Sequence, residues 1–267
     1  SYHFKGKRIL DILIIISLLS PPFIGAYSWV MLAGRSGLIT KALASIGINM
    51  PTIYGREGII FILTLKLYPF IYIYVKGALQ KIDVSLIEAS ESLGCGQVKK
   101  VFTVVLPLIS PTLLAGALMV FMNAIADFGT PMVIGEGINV MATMVYTEYI
   151  NEIGGNPNLS AAIACIMVFI TLVLFSVQNY VINKKSFTMS ALKPIEVKDF
   201  KGAGGILAHL CAYVIVLFSM IPHMTVFGTS ILKTEGKMFR SGFSIGSYRK
   251  VFTTLGRPIR NTYVFSS

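Results

Sequence analysis

The sequence predicts an all-α membrane protein, a polytopic helical bundle with about five transmembrane helices. Apolar residues make up 54% of it and charged residues 13%, with a mean hydropathy of +0.73, well away from the balance of a water-soluble domain. Residues 12–34, 101–126, 153–183 and 202–232 carry no Asp, Glu, Lys or Arg. Each run exceeds the ~20 residues a helix needs to cross ~30 Å of hydrocarbon. Runs such as ILDILIIISLL do not alternate, which argues against the short amphipathic strands of a closed barrel.

The first span is expected at about 10–33. Lys5-Gly6-Lys7-Arg8 precedes it like the start of a signal peptide, but the run is too long and ends in no small-residue cleavage site, so it reads as a retained helix. The second, at about 57–79, is interrupted by Lys66 alone among charged residues. The third, at 101–126, opens on Pro107 and Pro111, the fourth covers 158–183 and the fifth 205–232. Pro21-Pro22 and Pro69 also fall inside spans, and broken membrane helices persist where neighbouring protein or a water-filled cavity satisfies the freed backbone groups. Residues 184–204 are polar and closed by glycines, which marks a linker.

The net charge of +11 raises nucleic acid as a partner, but its placement speaks for lipid. With the N-terminus inside, Lys5, Lys7, Arg8, Lys81, Lys99, Lys100 and the lysines of 184–201 all lie on the cytoplasmic side, whereas the outer loop 127–157 holds only acids. This is the positive-inside pattern, and no nucleic-acid role is expected. The basic tail after residue 232 runs against it. Three cysteines, two of them within spans, form no disulfide framework.

The stretch EASESLGCGQVKKVFTVVLP, 88–107, sets a polar piece between two spans. Asp83-Val84-Ser85 can cap a helix whose first turn carries acid, Glu88 suiting its positive end, Gly94 and Gly96 permit a turn, and a second short helix from about Gln97 carries Lys99 and Lys100. A helix–turn–helix with so little apolar surface suits docking of another protein. Glu88-Ala89-Ser90, then Gly94, then nine residues to Val104-Val105-Leu106-Pro107 resembles the EAA loop of the membrane subunits of type I ABC importers, with Ser90 and Val104 as mild departures. Tyr68-Pro69-Phe70, Lys76 to Asp83, and Ala126-Asp127-Phe128-Gly129-Thr130-Pro131 look like the ferric-iron branch of that family, in which two permease halves are fused.

The resemblance implies the type I ABC importer permease fold. Residues 1–185 would be the later part of a first half, 186–204 a cytoplasmic linker, and 205–267 the truncated start of a second half, with Asn261-Thr262 opening its conserved region. The same resemblance implies that the loop at 83–100 is a coupling helix held in a cleft of an ATP-binding subunit, two copies of which are expected. Its docking residues would be Glu88, Ala89, Ser90, Gly94, Leu106 and Pro107. An extracytoplasmic binding protein would deliver the cargo. The chain itself would bind no cofactor and catalyse no covalent chemistry, with ATP used by the partner ATPase. Gly236-Lys237 fails the spacing of a phosphate loop, having Ile231 and Met238 where a glycine and a hydroxyl are needed.

Lys66, Asp127, Gly129 and Pro131 are candidates for the translocation path or an outer gate, since ionic groups within a span mark functional sites by default. Lys66 could equally pair with Asp127 or a carbonyl for packing. His209 and Cys211 point to different faces of a helix, with His223 about four turns on, so no metal site is expected. Met119, Phe121 and Met122 read as lipid-facing or packing residues. Ferric iron is the expected cargo. Alternatives are a polyamine, thiamine or phosphonate through the same machinery, or, in another class, a secondary transporter or membrane enzyme.

Overall fold

The computed structural model describes residues 2–3, 6–19, 21, 23–151, 154–185, 198–199, 203–235 and 238–266. In chain order the elements are β1 (Tyr2–His3), α1 (Lys7–Leu18), α2 (Ile24–Ala33), α3 (Leu38–Ser45), α4 (Arg56–Leu79), α5 (Val84–Ser92) and α6 (Gln97–Lys100). A π-helical turn (Val101–Val105) then leads into α7 (Leu106–Ala126), α8 (Gly129–Ile134), α9 (Met141–Ile150) and α10 (Pro157–Lys185). After these come β2 (Lys198–Asp199), α11 (Ala203–Ser230), β3 (Leu232–Glu235), β4 (Met238–Phe243), α12 (Gly246–Thr254) and α13 (Gly256–Ser266). The strands are minor: β1 pairs with β2 in parallel, and β3 with β4 antiparallel.

Four helices among the described residues are long and apolar enough to cross a membrane: Arg56–Leu79, Gln97–Ala126, Pro157–Asn183 and Gly204–Ser230. The expected first span at 10–33 is corrected, because it is two helices. At ~1.5 Å per residue neither the 12-residue α1 nor the 10-residue α2 crosses ~30 Å alone. The cause is local: Pro21-Pro22 offers no backbone N–H, and Phe23 takes a φ of +69°, so the hydrogen-bond ladder stops and restarts. The third span also begins earlier than expected, since the short helix from Gln97 is its first turn rather than a separate element. Residues 127–157, expected as a loop, contain α8 and α9. The linker expected at 186–204 falls largely outside the described residues.

The π turn has an identifiable origin. Pro107 cannot donate to the carbonyl four residues back, and the Leu106 amide instead reaches the Val101 carbonyl, widening the helix by one residue. Three apolar clusters hold the helices together. Trp29, Ile53, Ile62 and Ile134 join α2, α4 and α8, while Leu10 and Ile14 of α1 meet Val216 of α11. Ala78, Ile82 and Ile109 close the far end of α4 against α7. α10 keeps most of its apolar surface exposed, including Val168, Phe169, Leu172 and Phe175, as a lipid-facing helix does.

Candidate functional site

Two regions concentrate the residues singled out in the sequence. The first is the segment from Ile82 to Pro107. Asp83 starts α5 in extended conformation, and its Oδ1 accepts the Ser85 amide at 2.9 Å, which satisfies one of the free N–H groups of the first turn; the acid expected in that turn is absent, because α5 starts at Val84 and Glu88 falls beyond it. α5 ends at Gly94, whose φ of +77° is the left-handed geometry that a side chain resists. The Gly94 and Cys95 amides close that turn on the Glu91 and Ser90 carbonyls.

One side of this segment is joined to the bundle. Ile82 is 0% exposed within the Ala78–Ile109 cluster, against which Ile87 also packs. The Lys100 ammonium is buried and pairs with Glu91, tying the start of the third span to the last turn of α5. Ser90 faces the same way: it is buried, with its Oγ donating to the Ile87 carbonyl at 2.7 Å. The opposite side is open. Glu88, Ala89 and Gly94 are exposed, Leu86 is exposed, and Leu93 is 84% exposed. Leu106 and Pro107, at the end of the π turn, are exposed as well. Glu91→Ala should lower stability by roughly 1–2 kcal/mol, less than for a fully buried pair because Glu91 is itself half exposed. Thermal unfolding in detergent measures this.

The second region surrounds Lys66. Its Nζ lies 2.6 Å from Asp127 Oδ2, an ion pair between α4 and the end of α7. Asp127 also accepts the Thr130 amide at 3.0 Å and the Thr130 hydroxyl at 3.2 Å, so it organises the first turn of α8. Its side chain is only 7% exposed. Pro131 is buried in α8, at the helix start where a missing N–H costs nothing. Gly129 lets the broken first span approach, since a Cβ there would lie 3.1 Å from the Phe23 amide nitrogen. Phe23 then meets Phe128 edge-on at 5.1 Å, and Phe128 stacks on Tyr146 at 5.1 Å.

Beside this aromatic row a small cavity is lined by Ser17, Phe23, Trp29, Lys66, Thr130 and His223. Of the candidates for path or gate, the structure therefore gathers Lys66, Asp127, Gly129 and Pro131 in one place, and it adds Phe23, Phe128 and Thr130. A further pair was not anticipated: Asp11 of α1 accepts from Lys76 at 2.7 Å and from the Tyr72 hydroxyl. The sequence signal for it is a carboxylate one residue before a charge-free run, with a lysine near the end of the second expected span. Met119, Phe121 and Met122 are partly exposed on α7, and His209 Nδ1 lies 2.6 Å from the Gly205 carbonyl of its own helix.

A family model described as binding-protein-dependent transport system inner membrane component matches residues 1–186. The chain is 27% identical over 244 residues to the ferric transport system permease protein FbpB of Actinobacillus pleuropneumoniae, a match covering 91% of this chain and 33% of that protein. It is 30% identical over 195 residues to the sn-glycerol-3-phosphate transport system permease protein UgpA of Yersinia enterocolitica, covering 69% of this chain and 65% of that one. The chain spans less than half the length of the FbpB relatives it matches. Among solved structures, the MetNI methionine ABC transporter in inward-facing conformations aligns with a TM-score of 0.43 at 19% identity, over 68% of this chain and 95% of that one. Because the family match takes in most of the chain, and four bilayer-length apolar helices accompany it, the chain belongs to the binding-protein-dependent transport inner-membrane component family, the type I ABC importer permeases, and is a multi-pass protein of the bacterial inner membrane.

Proposed function

We propose that this chain forms part of the translocation path of an ATP-driven importer and takes its driving force from a separate ATP-binding subunit docked on residues 83–100. The observation that carries the reading is the two-sidedness of that segment. Ile82, Ser90 and the Glu91–Lys100 pair attach it to α4 and α7, while Glu88, Ala89, Leu93 and Gly94 face outward. A piece fixed on one side and open on the other acts as a lever. Displacement of α5 by a closing ATPase passes through Lys100 and the π turn into α7, whose far end carries Asp127 and its pair with Lys66.

In this reading the loop lies in the cytoplasm, two ATPase copies serve the complete transporter, and an extracytoplasmic binding protein delivers the cargo to the opposite side. Residues 1–185 act as the later part of a first permease half, 186–204 as the linker and 205–267 as the start of a second half. ATP hydrolysis resides on the partner, and this chain binds no cofactor. The Lys66–Asp127 pair, with Gly129 and Pro131 behind it, serves as the outer gate. Ferric iron is the proposed cargo, supported by the FbpB relatives. The glycerol-3-phosphate name of the UgpA relatives favours an organophosphate as the second reading.

Glu88→Lys combined with Leu93→Asp tests the docking. Both side chains are exposed, so the thermal unfolding temperature should stay unchanged, while ATPase co-purifying with the full transporter falls at least about thirtyfold, as for loss of an interface hot spot. Undiminished ATPase capture would reject the docking surface. Uptake of labelled ferric iron against labelled glycerol 3-phosphate in cells separates the two cargoes.

A further inference from the structure

α11 ends at Ser230, and the chain comes back to that point after a single hairpin. The Ser244 amide donates to the Ile231 carbonyl at 2.9 Å, and the Ser230 and Tyr248 hydroxyls share a hydrogen bond at 2.7 Å. α12 therefore starts at the depth where α11 leaves the bilayer. After α4, three further spans separate this point from the 83–100 loop, so it lies on the opposite membrane face.

α12 is amphipathic in its own right. Tyr248, Val251, Phe252 and Leu255 recur at i, i+3, i+4 and i+7, one stripe of a helix, and all four are exposed, Phe252 at 72%. Arg249 and Lys250 lie on the polar face, the first at its edge and the second near its middle, and Arg257 and Arg260 follow in α13. Between 236 and 267 there is no Asp or Glu.

We infer that α12 is an interfacial helix that lies along the bilayer surface on the side opposite the 83–100 loop and binds anionic phospholipid. Its apolar stripe rests at the acyl boundary, and Arg249, Lys250, Arg257 and Arg260 meet the phosphodiester headgroups. The single sign of charge beside an apolar stripe is the feature that points to lipid, because a bilayer surface offers acyl chains and phosphate groups side by side. The inference also gives a role to a basic tail that runs against the positive-inside distribution. It does not depend on what the path carries.

The test uses the full chain in nanodiscs, with Cys95, Cys165 and Cys211 replaced by serine and a fluorophore attached at F252C. Quenching by brominated phosphatidylglycerol or brominated phosphatidylcholine gives the relative association of each lipid with the helix. Phosphatidylglycerol is expected to be preferred about fivefold or more, the contribution of one cation near a charged surface, with the preference reduced in R249Q/K250Q and falling towards one when Arg257 and Arg260 are also replaced by glutamine or at about 1 M salt. A fluorophore at T254C, on the polar face, should be quenched far less. Equal association of the two lipids, or a Phe252 position that neither lipid quenches, overturns the inference, the latter indicating that a protein or a second copy covers the stripe. The unsubstituted cations already decide the first comparison, so a misfolded charge variant does not leave it open. Failed iron or phosphate uptake with quenching intact would count against the transport reading alone.

Discussion

Replacing Ile82 with aspartate is expected to unseat the 83–100 segment from the bundle, lowering stability by about 4 kcal/mol. The side chain is 0% exposed and packs among Ala78 and Ile109, with Val75, Val105 and Leu108 around them. Loss of its apolar burial accounts for roughly 2–3 kcal/mol. The remainder is the cost of a carboxyl group set among these aliphatic side chains, which ionises only at still greater cost. Ile82→Val keeps the shape and should cost about 1 kcal/mol. Thermal unfolding in detergent ranks the two, and ATPase co-purification shows whether the segment still presents Leu93 and Glu88. An aspartate variant as stable as the parent would mean that the segment is not anchored where the structure places it.

Lys66→Met is expected to be the other costly change, at about 3 kcal/mol, because it strands a carboxylate. Asp127 is 7% exposed and depends on Lys66 at 2.6 Å and on Thr130 for its partners. Breaking a buried pair from one side leaves an uncompensated charge, whereas removing both members costs much less. The Lys66→Met/Asp127→Asn double variant should therefore recover most of the loss, since the asparagine oxygen can still accept from Thr130. A double-mutant cycle by thermal unfolding reads the coupling directly, and additive losses would show that the two side chains act independently. If the pair also gates the path, the double variant should fold normally yet transport with altered rate, which uptake measurements distinguish from a purely structural role.

Much of this was legible in the residues. Four of the five expected spans are found, three of them over charge-free runs and the other, α4, around the single Lys66 in its middle, because a helix in hydrocarbon needs only apolar side chains and its own i to i−4 hydrogen bonds. The cap at Asp83 and the turn at Gly94 were equally local, each decided by one side-chain oxygen or one missing Cβ. Pro21-Pro22 was visible as a disturbance, but a proline pair inside an apolar run is compatible with a kink or with a break. The packing of Phe23 against Gly129 and Phe128 shows which occurs here.

By itself the sequence determined membrane residence, the placement of the uninterrupted spans and the EAA spacing that marks the family, since all three depend on composition and on residues within a few turns of each other. Tertiary structure alone decided that Lys66 meets Asp127 across 61 positions, that Ser90 turns inward while Leu93 turns out, and that α12 returns to the level of Ser230. The physical reason is range. Burial in lipid and helix hydrogen bonding are properties of a short segment, whereas the partner of a charge is chosen by the rotation and axial register with which one helix packs on another.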